Sequence, residues 1–338
     1  MRVGSNPVKS VSNEPVQQKK IIIAVLCYIP ILEGYHSESL EVLKLCIGSI
    51  LQNTDLPYDL YIFDNGSCDS VIKYLLELKE NKKIQHLHLS IENLGKAGAW
   101  NWIFGITNSE YVVYTDSDVF FYPGWLSAAL HIYEAFPNVG MVTSCPIQSP
   151  DVSFNSKMMQ LLESDSTIEI KKGKYISKEF QNEYAEGLGL SLKEYQATFP
   201  MDYTDVLLKC NGVEAYLHAS HFQFLIKPSL IRNFLPLSCF SYLGKATAQF
   251  DKKIIENNLL RLSCTERYIL HIGNTLTERL REEAIKYNID IELKIKKNRA
   301  IKNGIVLQKF FHLKLVKMIF LKIYNIIFSI YFETKKYS

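Results

Sequence analysis

Short apolar runs alternate with stretches of helical periodicity through the first 143 residues of the chain. The apolar runs lie at 21–26, 60–63, 84–91, 111–114 and 139–143, and the helical stretches lie at 38–52, 69–80, from 95 onwards and at 123–136. An uninterrupted apolar run is typical of a strand that is covered on both faces. The alternation of such strands with helices predicts an α/β fold of the Rossmann-like kind, with a mostly parallel central sheet and helices on both faces.

Periodicity is weaker in the second half of the chain. Residues 146–215 are richer in Ser, Glu, Lys and Tyr, and we expect irregular, substrate-facing chain there with a few short helices. Regular elements return as a strand at 222–226, a helix at 247–260 and short apolar strands near 261–264 and 268–271.

The two ends of the chain differ from the rest in composition. Residues 1–19 are polar and predict a disordered lead-in without a secretory signal, whereas 276–338 predict a basic and apolar helical segment. Its uncharged stretch, 323–332, is too short to span a bilayer, which needs about 20 residues in a helix. Basic, aromatic-rich helices suit the surface of an anionic membrane, so we expect peripheral membrane contact through 293–332, with docking on the domain as the alternative.

Net charge and cysteine content argue against nucleic-acid binding, a zinc site and a disulfide framework. A net charge of +3 over 338 residues is too small to indicate a nucleic-acid partner. The seven cysteines are scattered without a C-x-x-C pair, which argues against a zinc site and against a disulfide framework. This usage fits a reducing cytosol, so we expect a cytoplasmic protein.

Two carboxylates follow the strand at 111–114. Asp116 and Asp118 stand one residue apart at its end. An unpaired acidic side chain beside a buried strand costs on the order of several kcal/mol, and ligands of open α/β sheets bind at the carboxyl ends of the strands. A Mn²⁺ or Mg²⁺ ion carrying a diphosphate would meet both conditions, because hard cations take carboxylate oxygens. The simpler alternative is an Asp-Ser-Asp turn that caps the next helix.

A second strand end and a helix start offer further polar groups. Asp64 and Asn65 follow the strand at 60–63, and parallel topology brings this strand end to the same edge as the first. Gly95 precedes Lys96 at a predicted helix start, where backbone N–H groups and a positive charge form an anion site. The structural alternatives are a turn-forming aspartate and an ordinary surface helix start.

Three histidines lie near the predicted strands of the second half. His271 follows a short apolar strand and precedes a glycine turn, and imidazole is the commonest nitrogen ligand of metals. We expect His218 and His221 to be packed or hydrogen-bonded, with an acceptor pocket as the alternative.

In order and spacing, these segments resemble the family 2 glycosyltransferases of GT-A fold, and among them the bacterial rhamnosyltransferase-like group. The similarity runs from about 21 to 274 and rests on Phe-Asp-Asn-Gly-Ser at 63–67, Asn-Leu-Gly at 93–95, Thr-Asp-Ser-Asp at 115–118 and His-Ile-Gly-Asn at 271–274. The resemblance implies that Asp118 and His271 bind Mn²⁺ or Mg²⁺. It also implies that a nucleotide sugar is bound by Asp64, Asn65, Asn93, Lys96 and Asp116.

The general base is the point where this chain departs from the family. Members usually carry an aspartate, often in Glu-Asp, at the start of the helix before the His-containing strand, and it takes the proton of the acceptor hydroxyl. Thr247 stands at that position. Asp251 lies one turn later on the same face of the predicted helix and is the substitute that the sequence offers.

The resemblance implies an inverting, metal-dependent glycosyltransferase at the inner face of the cell membrane. It would move a sugar from a UDP-, dTDP- or GDP-sugar to a hydroxyl of a cell-surface glycan or lipid-linked acceptor, with residues 20–145 binding the donor and 146–275 the acceptor. One alternative is a non-catalytic glycan-binding or scaffold protein, which fits Thr247. The other is a sugar nucleotidyltransferase, although Cys27-Tyr-Ile-Pro30 lacks the glycine-rich loop that such an enzyme needs after its first strand.

Overall fold

The structure is a computed structural model that describes residues 4, 20–150, 152–238 and 245–291. Its strands are β1 (Ile21–Cys27), β2 (Asp59–Asn65), β3 (His86–Ser90), β4 (Tyr111–Asp116), β5 (Val119–Phe121), β6 (Val139–Thr143), β7 (Glu169–Gly173), β8 (Asp205–Cys210), β9 (Val213–Leu217), β10 (Gln223–Ile226), β11 (Leu260–Ser263) and β12 (Ile269–His271). Its α-helices are α1 (Ser39–Asn53), α2 (Asp69–Glu80), α3 (Gly95–Ile106), α4 (Trp125–Ala135), α5 (Val152–Glu163), α6 (Lys178–Gly187), α7 (Leu192–Gln196), α8 (Pro228–Ile231), α9 (Lys245–Glu256) and α10 (Glu278–Lys286).

One large sheet organises these elements, in the order β3-β2-β1-β4-β10-β6-β11-β9-β8-β7. Strands β3, β2, β1 and β4 are parallel, and β10 is antiparallel between β4 and β6. Strand β11 is parallel to β6, and β9, β8 and β7 continue as antiparallel neighbours. Only β10, β9 and β7 therefore run against the other strands of this sheet, and the predicted mostly parallel α/β sheet is confirmed.

Helices cover both faces of the sheet, as predicted. Ile23 and Val25 of β1 face the larger core, which also contains residues of α1, α2 and α4. Ala24 faces the opposite core together with Trp100 of α3 and Phe250 of α9. Successive residues of a strand point to opposite faces, so an uninterrupted apolar run is what two covered faces require.

A small ribbon lies beside the large sheet. Strands β5 and β12 pair antiparallel to each other, and His271 stands opposite Val119. Because β5 follows β4 after only two residues, the ribbon carries His271 towards the carboxyl end of β4.

The prediction of irregular chain over 146–215 is wrong for the strands β7, β8 and β9, whereas the helices α5, α6 and α7 agree with the few short helices expected there. The β8–β9 hairpin turns at Asn211 and Gly212, whose φ angles of 49° and 80° are those of a two-residue Asn-Gly turn. Strand β7 is a polar edge strand, and its sequence Glu-Ile-Lys-Lys-Gly has no apolar run to reveal it.

Most of the residues at the two chain ends lie outside the described part of the chain. Contacts divide the chain into 1–291 and 292–338. The predicted lead-in (1–19, apart from residue 4) and the predicted membrane segment (293–332) lie outside the described residues. Helix α10 belongs to the first unit, where Leu280 packs in a cluster with residues of α1. In the part of the chain that the structure describes, no helix has the length and hydropathy that crossing a bilayer requires.

Candidate active site

Asp116 ends β4, with β1 on one side of that strand and β10 on the other. Its Oδ2 accepts a 2.9 Å hydrogen bond from Lys96 Nζ, and its Oδ1 accepts one from the Tyr114 hydroxyl. Burial and the neighbouring Asp116 charge raise the pKa of Tyr114, so the phenol keeps its proton and donates. A cation and a phenol thus satisfy the carboxylate.

Lys96 lies in the first turn of α3, which begins at Gly95 with a φ angle of 67°. Its Nζ donates a second hydrogen bond, 3.1 Å long, to the carbonyl oxygen of His221. The same Nζ lies 5.5 and 5.3 Å from the ring centroids of Trp100 and Tyr114. The side chain is 22% exposed, so a fixed ammonium group and a helix N-terminus together face solvent at this edge, which favours an anion.

Asp64 lies near the end of β2, beside β1, and is fully buried. Its Oδ2 accepts hydrogen bonds from the backbone N–H groups of Gly66 (3.3 Å) and Ser67 (3.1 Å). Its Oδ1 is buried and has no hydrogen-bond partner among the described residues. Because a buried oxygen without a donor is costly, this atom is a candidate contact for a bound ligand.

Asn65 and Asn93 shape the loop that leads into α3. Asn65 Nδ2 donates to Asn93 Oδ1 (2.8 Å), and Asn65 Oδ1 accepts from Leu94 N (2.9 Å). Asn93 Oδ1 also accepts from Gly95 N (2.8 Å). Gly66, at a φ angle of 90°, lets the loop approach, since a Cβ there would stand 3.2 Å from Asn93 N. The side chains of these two predicted donor-binding residues therefore form hydrogen bonds within the loop itself.

Asp118 lies between β4 and β5, and its Oδ2 is 3.4 Å from His271 Nε2. Its Oδ1 is buried without a hydrogen-bond partner in the described residues. Burial opposes both charges, but His271 lowers the pKa of Asp118, and Asp118 raises the pKa of His271. The two predicted metal ligands are therefore brought together as an ion pair.

The His271 ring is oriented by α6. Its Nδ1 donates to the carbonyl oxygen of Gly187 (2.9 Å), which leaves Nε2 to face Asp118. A Cβ on Gly187 would collide with the backbone oxygen of His271, so glycine permits this approach. Helix α6 is tied in turn by Glu183, whose two carboxylate oxygens pair with Arg267 and Arg279. A backbone acceptor on Nδ1 is a common way to orient metal-binding histidines.

The donor chemistry of this pair suits a divalent cation. In the described part of the chain, no group of three or more His, Cys, Asp or Glu side chains is arranged to hold a metal. Asp118 nevertheless has an unpartnered buried oxygen, and His271 directs a ring nitrogen at the same carboxyl group. An oxygen and a nitrogen donor on adjoining elements fit Mn²⁺ or Mg²⁺ with further ligands from a bound phosphate and water.

Asp251, the predicted base, lies on α9 one turn after Thr247 and belongs to a partly buried hydrogen-bond network. Its Oδ1 pairs with Arg261 at 2.9 Å and lies 2.7 Å from His221 Nε2. Burial lowers the pKa of His221 below 6.5, although Asp251 acts in the opposite direction. The ring is therefore neutral at pH 7, and its Nε2–H donates to Asp251.

The expectation that His218 and His221 are packed or hydrogen-bonded is confirmed, since His218 is 2% exposed and His221 bonds Asp251. The sequence analysis did not find the pairing of His221 with Asp251. Those residues stand 30 positions apart on α9 and the segment before β10, and no local pattern marks such a contact.

The segment before β10 joins the two groups of polar residues. The carbonyl of His221 accepts from Lys96, and the next carbonyl, of Phe222, accepts from the backbone N–H of Asp116 at 2.7 Å. The Phe222 ring lies 5.1 Å from the His271 ring. The structure thus gathers the residues predicted for the diphosphate and the metal at one sheet edge, and it connects Asp251 to them through His221.

A mostly parallel sheet with carboxylates, a lysine and a histidine at its carboxyl edge defines an α/β protein of GT-A-like fold. Residues 35–189 match the family model described as glycosyl transferase family 2. The predicted resemblance to the family 2 glycosyltransferases is therefore confirmed over this part of the chain, and the rhamnosyltransferase-like group stays a prediction. Asp116 and Asp118 lie within the matched residues, whereas Asp251 and His271 lie beyond them.

Similar proteins and structures include synthases and transferases. The chain is 30% identical to the hyaluronan synthase of Streptococcus pyogenes over 122 residues, which is 35% of this chain and 28% of that protein. Among solved structures, S. aureus TarS 1-349 aligns at 14% identity with a TM-score of 0.42, covering 74% of this chain and 59% of that one. The mannosyltransferase PcManGT from Pyrobaculum calidifontis, in complex with GDP-Man and Mn²⁺, aligns at 16% identity and a TM-score of 0.42, covering 76% and 57%. The chain therefore spans only part of each, and structural likeness of this strength carries no conclusion about activity.

Proposed function

We propose that the protein is an inverting, metal-dependent glycosyltransferase that moves a sugar from a nucleotide sugar to a hydroxyl of a glycan or lipid-linked acceptor. The observation that supports this most is the convergence of Asp116, Asp118, Lys96 and His271 at one sheet edge. The first three lie inside the family 2 segment. Residues 20–145 form the donor half of the proposed enzyme and 146–275 the acceptor half.

The donor nucleotide is proposed to lie across the ends of β2 and β4. Asp64 Oδ1, which has no partner among the described residues, accepts a hydrogen bond from the base. Asp116 accepts a hydrogen bond from the ribose. Lys96, which pairs with Asp116, also donates a charge-assisted hydrogen bond to the diphosphate at the start of α3. Asn65 and Asn93 serve the donor by holding this loop in place.

The metal is proposed to bind between Asp118 and His271. With a divalent cation bound, a neutral His271 would offer Nε2 as a ligand, and Asp118 would offer its carboxylate oxygens. When bound, Mn²⁺ or Mg²⁺ neutralises the charge that develops on the leaving diphosphate. His271 keeps its orientation because Nδ1 stays bonded to Gly187.

A thermal-shift screen tests this function. Wild type and Asp118→Asn are heated with UDP-GlcNAc, UDP-glucose, GDP-mannose and dTDP-rhamnose, each with and without Mn²⁺. A ligand that binds only the folded protein raises Tm by mass action, so we expect one nucleotide class to raise Tm with Mn²⁺ and to lose that effect in Asp118→Asn. The donor so found is then assayed for release of its nucleoside diphosphate. Absence of a nucleotide-dependent shift in the wild type would contradict the proposal.

A non-catalytic glycan-binding or scaffold protein is the second candidate. It is favoured by Thr247, which stands where the family usually has an acidic base. Such a protein retains donor or glycan binding but releases no nucleoside diphosphate. Steady release by wild type, abolished in Asp118→Asn, excludes this candidate.

A further inference from the structure

The structure offers a proton acceptor other than Asp251. Asp251 Oδ1 is shared by two donors, the guanidinium group of Arg261 at 2.9 Å and His221 at 2.7 Å. The Arg261 side chain is only 8% exposed and also donates to the carbonyl of Ala219. A carboxylate fixed by a buried cation is suited to orienting a neighbour.

The bond to Asp251 decides which nitrogen of His221 carries the proton. An ionised carboxylate only accepts hydrogen bonds, so the proton of the neutral ring is on Nε2. Nδ1 then carries the lone pair. Within the described residues, Nδ1 makes no hydrogen bond, and the His221 side chain is 20% exposed. The free nitrogen of an oriented, partly accessible imidazole is a base.

His221 also stands in the correct part of the molecule. Its carbonyl oxygen accepts from Lys96, which pairs with Asp116, so its backbone is fixed to the proposed diphosphate site. Its ring centroid lies 6.3 Å from that of Trp100 and 6.4 Å from that of Phe250. The aromatic rings and Asp251 therefore hold the imidazole beside the proposed diphosphate site.

We infer that His221 is the general base of the sugar transfer and that Asp251 positions it, an inference that rests on the proposed function. Nδ1 of His221 takes the proton of the acceptor hydroxyl while the hydroxyl oxygen bonds to C1 of the sugar. The bond between C1 and the diphosphate oxygen breaks, and its electron pair leaves with the diphosphate. The imidazolium charge forms beside the Asp251 carboxylate, which stabilises it, as in other carboxylate–histidine pairs.

The first test compares His221→Gln with His131→Gln, a control on the exposed surface of α4. Glutamine can still donate to Asp251 but cannot take a proton at this pH. We expect His221→Gln to lower kcat by about 10²–10⁴-fold, the usual contribution of a general base, and to leave the donor-induced thermal shift with Mn²⁺ unchanged. The assay follows nucleoside diphosphate release with a panel of p-nitrophenyl glycosides as acceptors.

The second test distinguishes a base from a structural residue. In His221→Ala, added imidazole should restore part of the lost kcat, which a purely structural role does not predict. In wild type, kcat should rise with pH along a limb below 6.5, because only the neutral ring is active and its pKa is lowered. The charged groups that face His221 are Asp251 from α9, Arg261 from β11 and Lys96 from α3. Asp251→Asn should move the limb to lower pH, because Asp251 raises the pKa of His221.

The possible outcomes distinguish a failure of the base assignment from a failure of the proposed function. If wild type releases nucleoside diphosphate and His221→Gln does so at the same rate with the same pH profile, His221 is not the base. If His221→Gln is slow, but imidazole does not rescue His221→Ala and the wild-type limb below 6.5 is missing, the role is structural. If wild type neither binds nor turns over any donor, the proposed function fails and the base assignment fails with it.

Discussion

Lys96 Nζ lies 2.9 Å from Asp116 Oδ2, so a single ammonium group joins the start of α3 to the end of β4. Both side chains keep between a fifth and a third of their surface exposed. A pair this accessible contributes less than about 1 kcal/mol to folding. The position of Lys96 at a helix N-terminus favours a role in binding an anionic ligand.

Replacing Lys96 by glutamine should therefore affect binding more than stability. We expect the Kd for the donor nucleotide to rise by about 10–100-fold, because a charge-assisted hydrogen bond contributes about 1.5–3 kcal/mol. Titration calorimetry with the nucleoside diphosphate and Mn²⁺ measures the change. Lys73→Gln on the exposed side of α2 is the matched control, and equal Kd values for the two variants would contradict the proposed diphosphate contact.

His271→Gln should weaken the metal site without removing the nucleotide site. Glutamine lacks the ring nitrogen that faces Asp118, so the Mn²⁺ concentration for half-maximal donor binding should rise by about 10-fold or more. A Mn²⁺ titration at fixed donor concentration, read by thermal shift, gives this value. His131→Gln serves again as the control, and an unchanged Mn²⁺ requirement in His271→Gln would show that this histidine is not a ligand.

Two glycines should respond in opposite ways to the same substitution. Gly187→Ala introduces a Cβ against the His271 backbone and should lower the free energy of unfolding by about 1–3 kcal/mol. Gly105→Ala on α3 has no atom within 4 Å of the new Cβ, and alanine in a helix should raise stability by about 0.5–1 kcal/mol. Urea unfolding measures both values, and equal effects at the two sites would contradict the close approach.

Acidification should destabilise the protein partly through His221. Its pKa is lowered in the folded protein, so the unfolded chain binds more protons between that pKa and 6.5. The stabilising effect of the neutral ring is complete above 6.5 and is lost as pH falls through the folded-state pKa. We expect the loss of unfolding free energy between pH 7.5 and 5.5 to be smaller in His221→Gln than in wild type. A larger loss in the variant would show that the ring is charged in the folded protein.

The parallel half of the sheet could be predicted because the pattern is local. Each of β1, β2 and β4 is a buried apolar run, and β2 and β4 end in polar turns. The carboxyl edge and its aspartates therefore follow from strand order. Asn211 and Gly212 are an equally local turn signal between β8 and β9, although the polar composition of 146–215 indicated irregular chain. The polar edge strand β7 carried none.

The contacts that complete the site could not be predicted, because they join distant positions. His271 meets Gly187 across 84 positions, and His221 meets Asp251 across 30. Both contacts depend on where β10 and β12 enter the fold, which periodicity does not reveal. The hydrogen bonds of Asn65 and Asn93 are similar: the motif identified their neighbourhood, but only the structure shows that they bond each other.

The dependence of His271 on α6 limits how the protein can be re-engineered. Exchanging the segment 169–217 with that of another transferase is an obvious route to a new acceptor preference, since this segment belongs to the proposed acceptor half. Yet that segment also carries Gly187 and Glu183, which hold the His271 ring and the two arginines around it. A chimera that omits either residue would disturb the proposed metal site as well as the proposed acceptor half, so both should be retained in any graft.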